Sequence, residues 1–104
     1  MMEFIETPTF TRQVLALLSD DEYRLLQALL VENPELGDLI KGGGGIRKVR
    51  HAAQGRGKSG GVRAIYYWIS ERNQIYMLLV YPKSSKDDLS DRETAVLRDL
   101  VKEL

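Results

Sequence analysis

Two adjacent apolar stretches decide the fold, VRAIYYWIS at residues 62–70 and QIYMLLVY at residues 74–81. Both are rich in the β-branched and aromatic residues that favour strands, and only Glu71, Arg72 and Asn73 separate them, which predicts an antiparallel hairpin. The second stretch is apolar on both of its alternating faces, which is typical of a strand with packing on each side. We therefore expect the strand at 74–81 to lie in the interior of a sheet that is covered on both faces.

Helix signals flank these strands on both sides. A short strand at residues 2–6 precedes Thr7 and Pro8, which suit the N-cap and the first position of a helix. The tetrapeptides at 19–22 and 90–93 are capping boxes, in which a serine is followed three residues later by a glutamate. Apolar residues at helical spacing follow each of these starts, which predicts an N-terminal helical hairpin and a C-terminal helix.

A further strand at residues 46–53 completes the predicted sheet. It follows a glycine run at 42–45 and joins the 62–70 strand through a glycine-rich loop at 55–61, so the element order is β-α-α-β-β-β-α. Strands joined by hairpins and helices segregated from them indicate an α+β fold with a mainly antiparallel four-stranded sheet. The chain of 104 residues has room for one compact domain, and we expect a single domain over residues 1–104.

Composition argues against several classes of protein. The chain has no cysteine, which excludes disulfides, thiolate metal sites and a cysteine nucleophile. His51 is the only histidine, so a histidine-based metal cluster is not expected. No apolar run approaches the roughly 20 residues of a membrane-spanning helix, and the acidic N-terminus does not resemble a signal peptide. These features predict a cytoplasmic protein without a membrane partner.

The charges are segregated along the chain. Fifteen basic and fifteen acidic residues give a formal net charge of zero, yet residues 39–70 contain seven cations and no carboxylate. A basic surface without competing acids suits a polyanion such as nucleic acid, because each phosphate has to meet a cation that no neighbouring carboxylate neutralises. The seven cations are Lys41, Arg47, Lys48, Arg50, Arg56, Lys58 and Arg63.

Strand alternation divides these cations between two faces. Lys48 and Arg50 project from one face of their strand, whereas Arg47 and His51 project from the other. Arg63 begins the next strand among apolar neighbours, which leaves two interpretations equally favoured. In the first, Arg63 has a structural role and either pairs with a carboxylate such as Glu71 or Asp88 or stacks on Tyr81. In the second, it is a functional cation.

Four blocks of sequence follow one another in the second half of the chain. They are IRKVRHA at 46–52, GRGKSGG at 55–61, VRAIYYW at 62–68 and IYMLLVYPKSSKDDL at 75–89. Together they resemble the RelE/HigB family of toxins from bacterial type II toxin–antitoxin systems, in the RelE/ParE superfamily. The resemblance implies a RelE-like fold and a ribosome-dependent messenger-RNA endonuclease, an mRNA interferase that inhibits translation by cutting the transcript in the ribosomal A site.

The chemistry of the family implies roles for particular residues of this chain. It needs no metal or other cofactor, because the 2′-hydroxyl of the RNA attacks the adjacent phosphate and leaves a 2′,3′-cyclic phosphate. Catalysis then orients the nucleotide, stabilises the charge that develops on phosphorus and moves protons. The catalytic residues that the resemblance implies are Lys48, Arg50, Arg63 and Lys83. The residues implied to contact RNA or the ribosome are Arg47, Arg56, Lys58 and Lys86.

The sequence leaves open which group transfers the protons. The stretch at 87–90 has no tyrosine, whereas the best-known branch of the family has one near the start of the last helix. Crowded cations lower the pKa of a lysine, which slightly favours a lysine as the base. The candidates are Lys48, Lys83, Asp87, Asp88, His51 and a group of the ribosome.

The resemblance also implies partners and leaves alternative functions. The expected partners are the small-subunit decoding site of the ribosome, messenger RNA, and a cognate antitoxin of the helix-turn-helix HigA-like kind that silences a monomeric toxin. Within the same superfamily, the alternatives are a ParE-like poison of DNA gyrase and a non-catalytic RNA-binding regulator. The last alternative is favoured if Arg63 is tied into a structural salt bridge.

Overall fold

The fold is built on one five-stranded sheet, in a computed structural model that describes residues 1–53 and 61–104. The strands are β1 (Glu3–Glu6), β2 (Asp38–Leu39), β3 (Arg47–His51), β4 (Val62–Ile69) and β5 (Gln74–Pro82). The helices are α1 (Pro8–Leu17), α2 (Asp20–Glu32) and α3 (Asp91–Val101), with one 3-10 turn at Ser70–Arg72. The predicted order of elements is present, with one additional strand.

The strands lie in the order β1-β5-β4-β3-β2, in which only the β1–β5 pair is parallel. The α+β class and the mainly antiparallel sheet are therefore confirmed, and β5 lies in the interior of the sheet as predicted. The strand count differs from the prediction of four, because β2 pairs Asp38 with Lys48 and Leu39 with Arg47. A two-residue strand is too short to show the alternation from which strands are predicted.

The two faces of the sheet support separate cores, which explains why β5 is apolar on both faces. Helices α1 and α2 cover one face, where Phe10 and Leu26 are completely buried. Helix α3 covers the other face, where Leu97 and Val101 pack with Ile65, Leu78 and Tyr81. A substrate that approaches the second face therefore meets the edge of α3 and the chain that leads into it.

The start of α3 fixes the course of the chain that precedes it. The Ser90 side chain accepts a hydrogen bond from the backbone N–H of Glu93, and the Glu93 carboxylate accepts one from the backbone N–H of Ser90. The same reciprocal bonds join Ser19 and Glu22 at the start of α2, so both predicted capping boxes are confirmed. The segment at 83–89 is thereby held between the end of β5 and a defined helix start.

A buried hydroxyl holds the loop that follows α2 against the sheet. Tyr66 is completely buried, and its hydroxyl donates to the carbonyl of Pro34 at 2.7 Å and accepts from the backbone N–H of Gly37 at 2.9 Å. The Gly37 carbonyl in turn accepts a hydrogen bond from Arg47 at 2.8 Å. One phenol thus ties the segment before β2 to the middle of the sheet.

We expect Tyr66→Phe to lower the free energy of unfolding by about 1–3 kcal/mol, because it leaves the buried N–H of Gly37 without its side-chain acceptor. Urea denaturation followed by circular dichroism measures this change. Tyr76→Phe, on the opposite face of the same sheet, controls for the loss of a tyrosine hydroxyl. Equal midpoints for wild type and Tyr66→Phe would contradict the expectation.

Candidate polyanion-binding site

Three cations converge on the sheet face that carries α3. The β3–β4 register sets Arg50 opposite Arg63 and Lys48 opposite Ile65, and the β4–β5 register sets Arg63 opposite Tyr81. Residues that are directly opposite in neighbouring strands share a face. Lys48, Arg50 and Arg63, called the cation cluster below, therefore lie together, as expected from alternation for Lys48 and Arg50.

Arg63 is the most buried member of the cation cluster. Its side chain is 3% exposed, and its guanidinium donates to the Val62 carbonyl at 3.3 Å and to the Asp87 carboxylate at 3.3 Å. The carboxylate side of this ion pair is 58% exposed. Of the two interpretations drawn from the sequence, an ion pair is present, but its acidic partner is Asp87 and neither Glu71 nor Asp88.

Lys48 pairs with the next carboxylate along the chain. Its Nζ donates to the Asp88 carboxylate and lies 3.4 Å from the Asp87 carbonyl oxygen. The hydrogen bond and the charge of Lys48, with smaller contributions from Arg50 and Arg63, hold the pKa of Asp88 below its usual range. Asp87 and Asp88, called the acidic pair below, thus lie against the cation cluster.

Tyr81 lies beside the cation cluster, opposite Arg63 in the neighbouring strand, and its phenol stays protonated at neutral pH. Its burial, together with the charges of Asp88 and Glu93, raises the pKa of the phenol to about 12. The Nζ of Lys86 lies 5.0 Å from the centre of the Tyr81 ring and also bonds to the Glu93 carboxylate. Lys86 is thereby held beside the cation cluster, whereas Tyr81 is a poor general base.

Two basic side chains of β3 point away from the cation cluster. Arg47 lies on the face that carries α1 and α2, where it donates to the Gly37 carbonyl at 2.8 Å and pairs with the Glu35 carboxylate at 3.3 Å. On that same face, the Nε2 atom of His51 lies 2.9 Å from the Glu22 carbonyl oxygen. Neither residue joins Lys48 and Arg50, although all four come from one strand.

The remaining predicted site residues lie at or beyond the strand ends. Lys83 is exposed just after β5, and its backbone N–H donates to the Gly61 carbonyl at 3.1 Å. This bond holds the start of the 83–89 segment next to the start of β4. Arg56 and Lys58 lie outside the described residues, so their predicted contacts with RNA stay predictions.

A cleft of about 310 Å³ adjoins the cation cluster at Lys48. Its walls include Lys41, Asp88 and Asp91, and its volume is at the lower end of the range of ligand sites. Lys41 was counted among the seven cations but not among the candidate site residues. The position of Lys41 in the acid-free stretch at 39–70 indicates a possible site residue. The glycine run that follows it has no strand alternation, so the sequence does not predict which way the Lys41 side chain points.

The described residues offer neither a metal site nor a membrane span. Within residues 1–53 and 61–104, no group of three or more histidine or carboxylate side chains is placed to share a metal ion. Over the same residues, no helix has the length and apolar character needed to cross a bilayer.

The fold agrees with comparisons to known proteins. A family model described as the RelE toxin of the RelE/RelB toxin–antitoxin system matches residues 6–104. This chain therefore belongs to the RelE toxin family, as its sequence blocks predicted. Among solved structures, the chain is similar to one in the intact E. coli RelBE toxin–antitoxin complex, with a TM-score of 0.59 and 19% identity over 79% of this chain and 96% of that chain. At this identity the structural likeness concerns the fold alone.

Proposed function

We propose that this chain is the toxin of a type II toxin–antitoxin system and acts in the cytoplasm as a ribosome-dependent endoribonuclease. In this proposal it cleaves messenger RNA in the ribosomal A site and thereby inhibits translation. The observation that carries the proposal is the convergence of Lys48, Arg50 and Arg63 on one face of the sheet. Membership of the RelE family supports the same function.

The proposed chemistry requires a cation at the phosphate that is cut. The 2′-oxygen of the RNA forms a bond to phosphorus, the bond to the 5′-oxygen breaks, and the 2′-proton is lost while the 5′-oxygen gains a proton. Negative charge builds up on the non-bridging oxygens in the transition state, where fixed cations stabilise it most. Arg63 offers a planar fork that matches two phosphate oxygens, and the exposed Arg50 is available to meet the incoming strand.

The surroundings of His51, Tyr81 and Asp88 bear on which group transfers the protons. His51 lies on the opposite face of the sheet, and the pKa of Tyr81, raised to about 12, keeps its phenol protonated at neutral pH. Asp88 is a weaker base than an ordinary carboxylate, because Lys48 lowers its pKa. Lys48, Lys83, the acidic pair and groups of the ribosome are the remaining candidates.

The proposed partners follow from the family. RelE toxins belong to toxin–antitoxin systems, and the similar solved structure is of a toxin–antitoxin complex. We expect a cognate antitoxin for this chain, of the helix-turn-helix HigA-like kind, and a free toxin that is a monomeric single domain over residues 1–104. The other expected partners are the small-subunit decoding site and messenger RNA, with Arg47, Arg56, Lys58 and Lys86 as contacts.

A second candidate function is a non-catalytic RNA-binding regulator of the same fold. The Arg63–Asp87 ion pair favours it, because an arginine committed to a carboxylate is not immediately available to a phosphate. Asp87 is largely exposed, however, so its carboxylate becomes hydrated when it turns away from Arg63. An RNA phosphodiester carries the same single negative charge as one carboxylate and is able to replace it, and the further charge that develops on its non-bridging oxygens in the transition state strengthens its contact with Arg63, so we favour the endonuclease.

Mapping transcript 5′ ends after brief induction in cells tests the proposed function. The expected result is cleavage at codon-defined positions, in translated transcripts only, with a 2′,3′-cyclic phosphate on the upstream fragment. Intact transcripts together with gyrase-linked DNA breaks would identify a gyrase poison instead. Bound but uncut RNA on programmed ribosomes would identify the regulator.

A further inference from the structure

The cation cluster is already in contact with two carboxylates of its own chain. Asp87 pairs with Arg63, and Asp88 pairs with Lys48. The two carboxylate side chains are 58% and 73% exposed, whereas the cations beneath them are 3% and 15% exposed. The acidic pair therefore lies on the solvent side of these two ion pairs.

We infer that Asp87 and Asp88 are specificity-determining residues that compete with RNA phosphate for Arg63 and Lys48. Carboxylate and phosphate oxygens make the same charge-assisted hydrogen bonds to arginine and lysine, so both groups cannot hold one donor set at once. A phosphate gains the site only when the carboxylates turn away. The inference rests on the proposed function, because it concerns how the same site chooses its polyanion.

The segment that carries the acidic pair is anchored independently of the two carboxylates. At its start, the backbone N–H of Lys83 donates to the Gly61 carbonyl at 3.1 Å, and at its end the Ser90–Glu93 capping box fixes the helix start. The carbonyl oxygen of Asp87 lies 3.5 Å from the Tyr81 hydroxyl. The two carboxylates are therefore able to turn away from the cations without unfolding the segment.

This arrangement discriminates between free RNA and RNA that is already positioned. The carboxylate sides of both ion pairs are exposed and become hydrated when they turn away, so an RNA held against the site at high effective concentration displaces them. Dilute free RNA meets cations whose charge is already compensated, and it lacks the gain that drives binding to phosphate contacts. The acidic pair thus lowers the intrinsic affinity for both forms of RNA by the same factor, and ribosome-held RNA still occupies the site because its effective concentration is high.

The double variant Asp87→Asn/Asp88→Asn tests this competition. Asparagine keeps the shape of the side chain and removes its charge, so a short RNA oligonucleotide protected by 2′-O-methyl groups should bind about tenfold more tightly, roughly two- to fivefold for each exposed pair removed. Fluorescence anisotropy at fixed ionic strength measures the affinity. Each single variant should show part of the gain, which keeps the test available if the double variant folds poorly.

The matched control is Glu3→Gln/Glu71→Gln, which changes the net charge by the same amount. Both residues are exposed, and they lie near the far end of β4 from Arg63, about 20 Å away along that strand. The expected change in RNA affinity for this control is below about twofold, because separate exposed charges at that distance are screened.

Three outcomes would overturn the inference, and they differ in what they say about the proposed function. Equal RNA affinity for wild type and the acidic-pair variant, with ribosome-dependent cleavage that requires Arg63, would overturn the competition alone. The absence of RNA binding by both proteins, together with intact transcripts on ribosomes, would overturn the competition and the proposed function. An equal gain in affinity from the distant control would also overturn the competition, because net charge would then explain it.

Discussion

Replacing Arg63 with methionine is expected to lower the rate of transcript cleavage on programmed ribosomes by at least about 100-fold, the scale of losing one transition-state donor. The guanidinium is the deepest cation of the cluster, with a side chain that is 3% exposed, so water cannot supply an equivalent donor at that point. Methionine preserves much of the unbranched apolar stem and removes only the charged end. Primer extension on a defined transcript measures the loss.

The protein is expected to remain folded in this variant. The partner left behind, Asp87, is largely exposed, so removal of Arg63 does not leave a buried unpaired charge. Glutamate would be a poorer test, because it would bury a carboxylate beside Asp87. Arg72→Met, an exposed change beyond the other end of β4, is the control for loss of one arginine. Normal cleavage by a folded Arg63→Met protein would remove Arg63 from the proposed mechanism.

Gly61→Ala is expected to destabilise the protein more than Gly42→Ala by at least about 2 kcal/mol, within the range of severe single substitutions. Both glycines have positive φ, +60° and +75° respectively, so alanine at either position carries left-handed strain of about 1 kcal/mol. At position 61, however, a Cβ atom would lie 2.2 Å from the His51 carbonyl oxygen and 2.9 Å from the Ala52 Cα. These are backbone atoms, which cannot move aside as a side chain does.

The two glycine variants form a matched pair because only the space around them differs. Around a Cβ at position 42, no atom of the described residues lies within 4 Å. Chemical denaturation of both variants gives the difference in unfolding free energy directly. Gly61→Ala should also impair cleavage, because it disturbs the register that sets Arg50 opposite Arg63. Equal unfolding free energies for the two variants would contradict this expectation, because the backbone near His51 would then move aside without a loss of stability.

The elements of the fold were predictable where a local rule applied. Capping boxes marked the starts of α2 and α3, and the apolar pattern of 74–81 predicted a strand that is packed on both faces, as β5 is. Strand β2 was not predicted, because two residues are too few to show the alternation that is typical of a strand. The parallel pairing of β1 with β5 is a contact between distant segments, and neither segment carries a local signal for it.

Part of the candidate site was likewise predictable from the sequence, and part of it was not. Alternation along β3 predicted that Lys48 and Arg50 share a face, because that period is a property of a single strand. The alignment of Arg63 with Arg50 depends on the register between two strands. That register depends on packing against both helical layers, and residue spacing alone does not specify it.

The sequence by itself determined the α+β class, the helix starts and the stretch at 39–70 that contains seven cations and no acid. Those features depend on short-range rules of capping, alternation and charge. Only the tertiary structure decided that Asp87 and Asp88, outside that stretch, lie on Arg63 and Lys48. The reason is that β5 ends beside the start of β4 and the capped start of α3 turns the chain back across the sheet face. A region without acids in sequence is thereby paired with carboxylates in space.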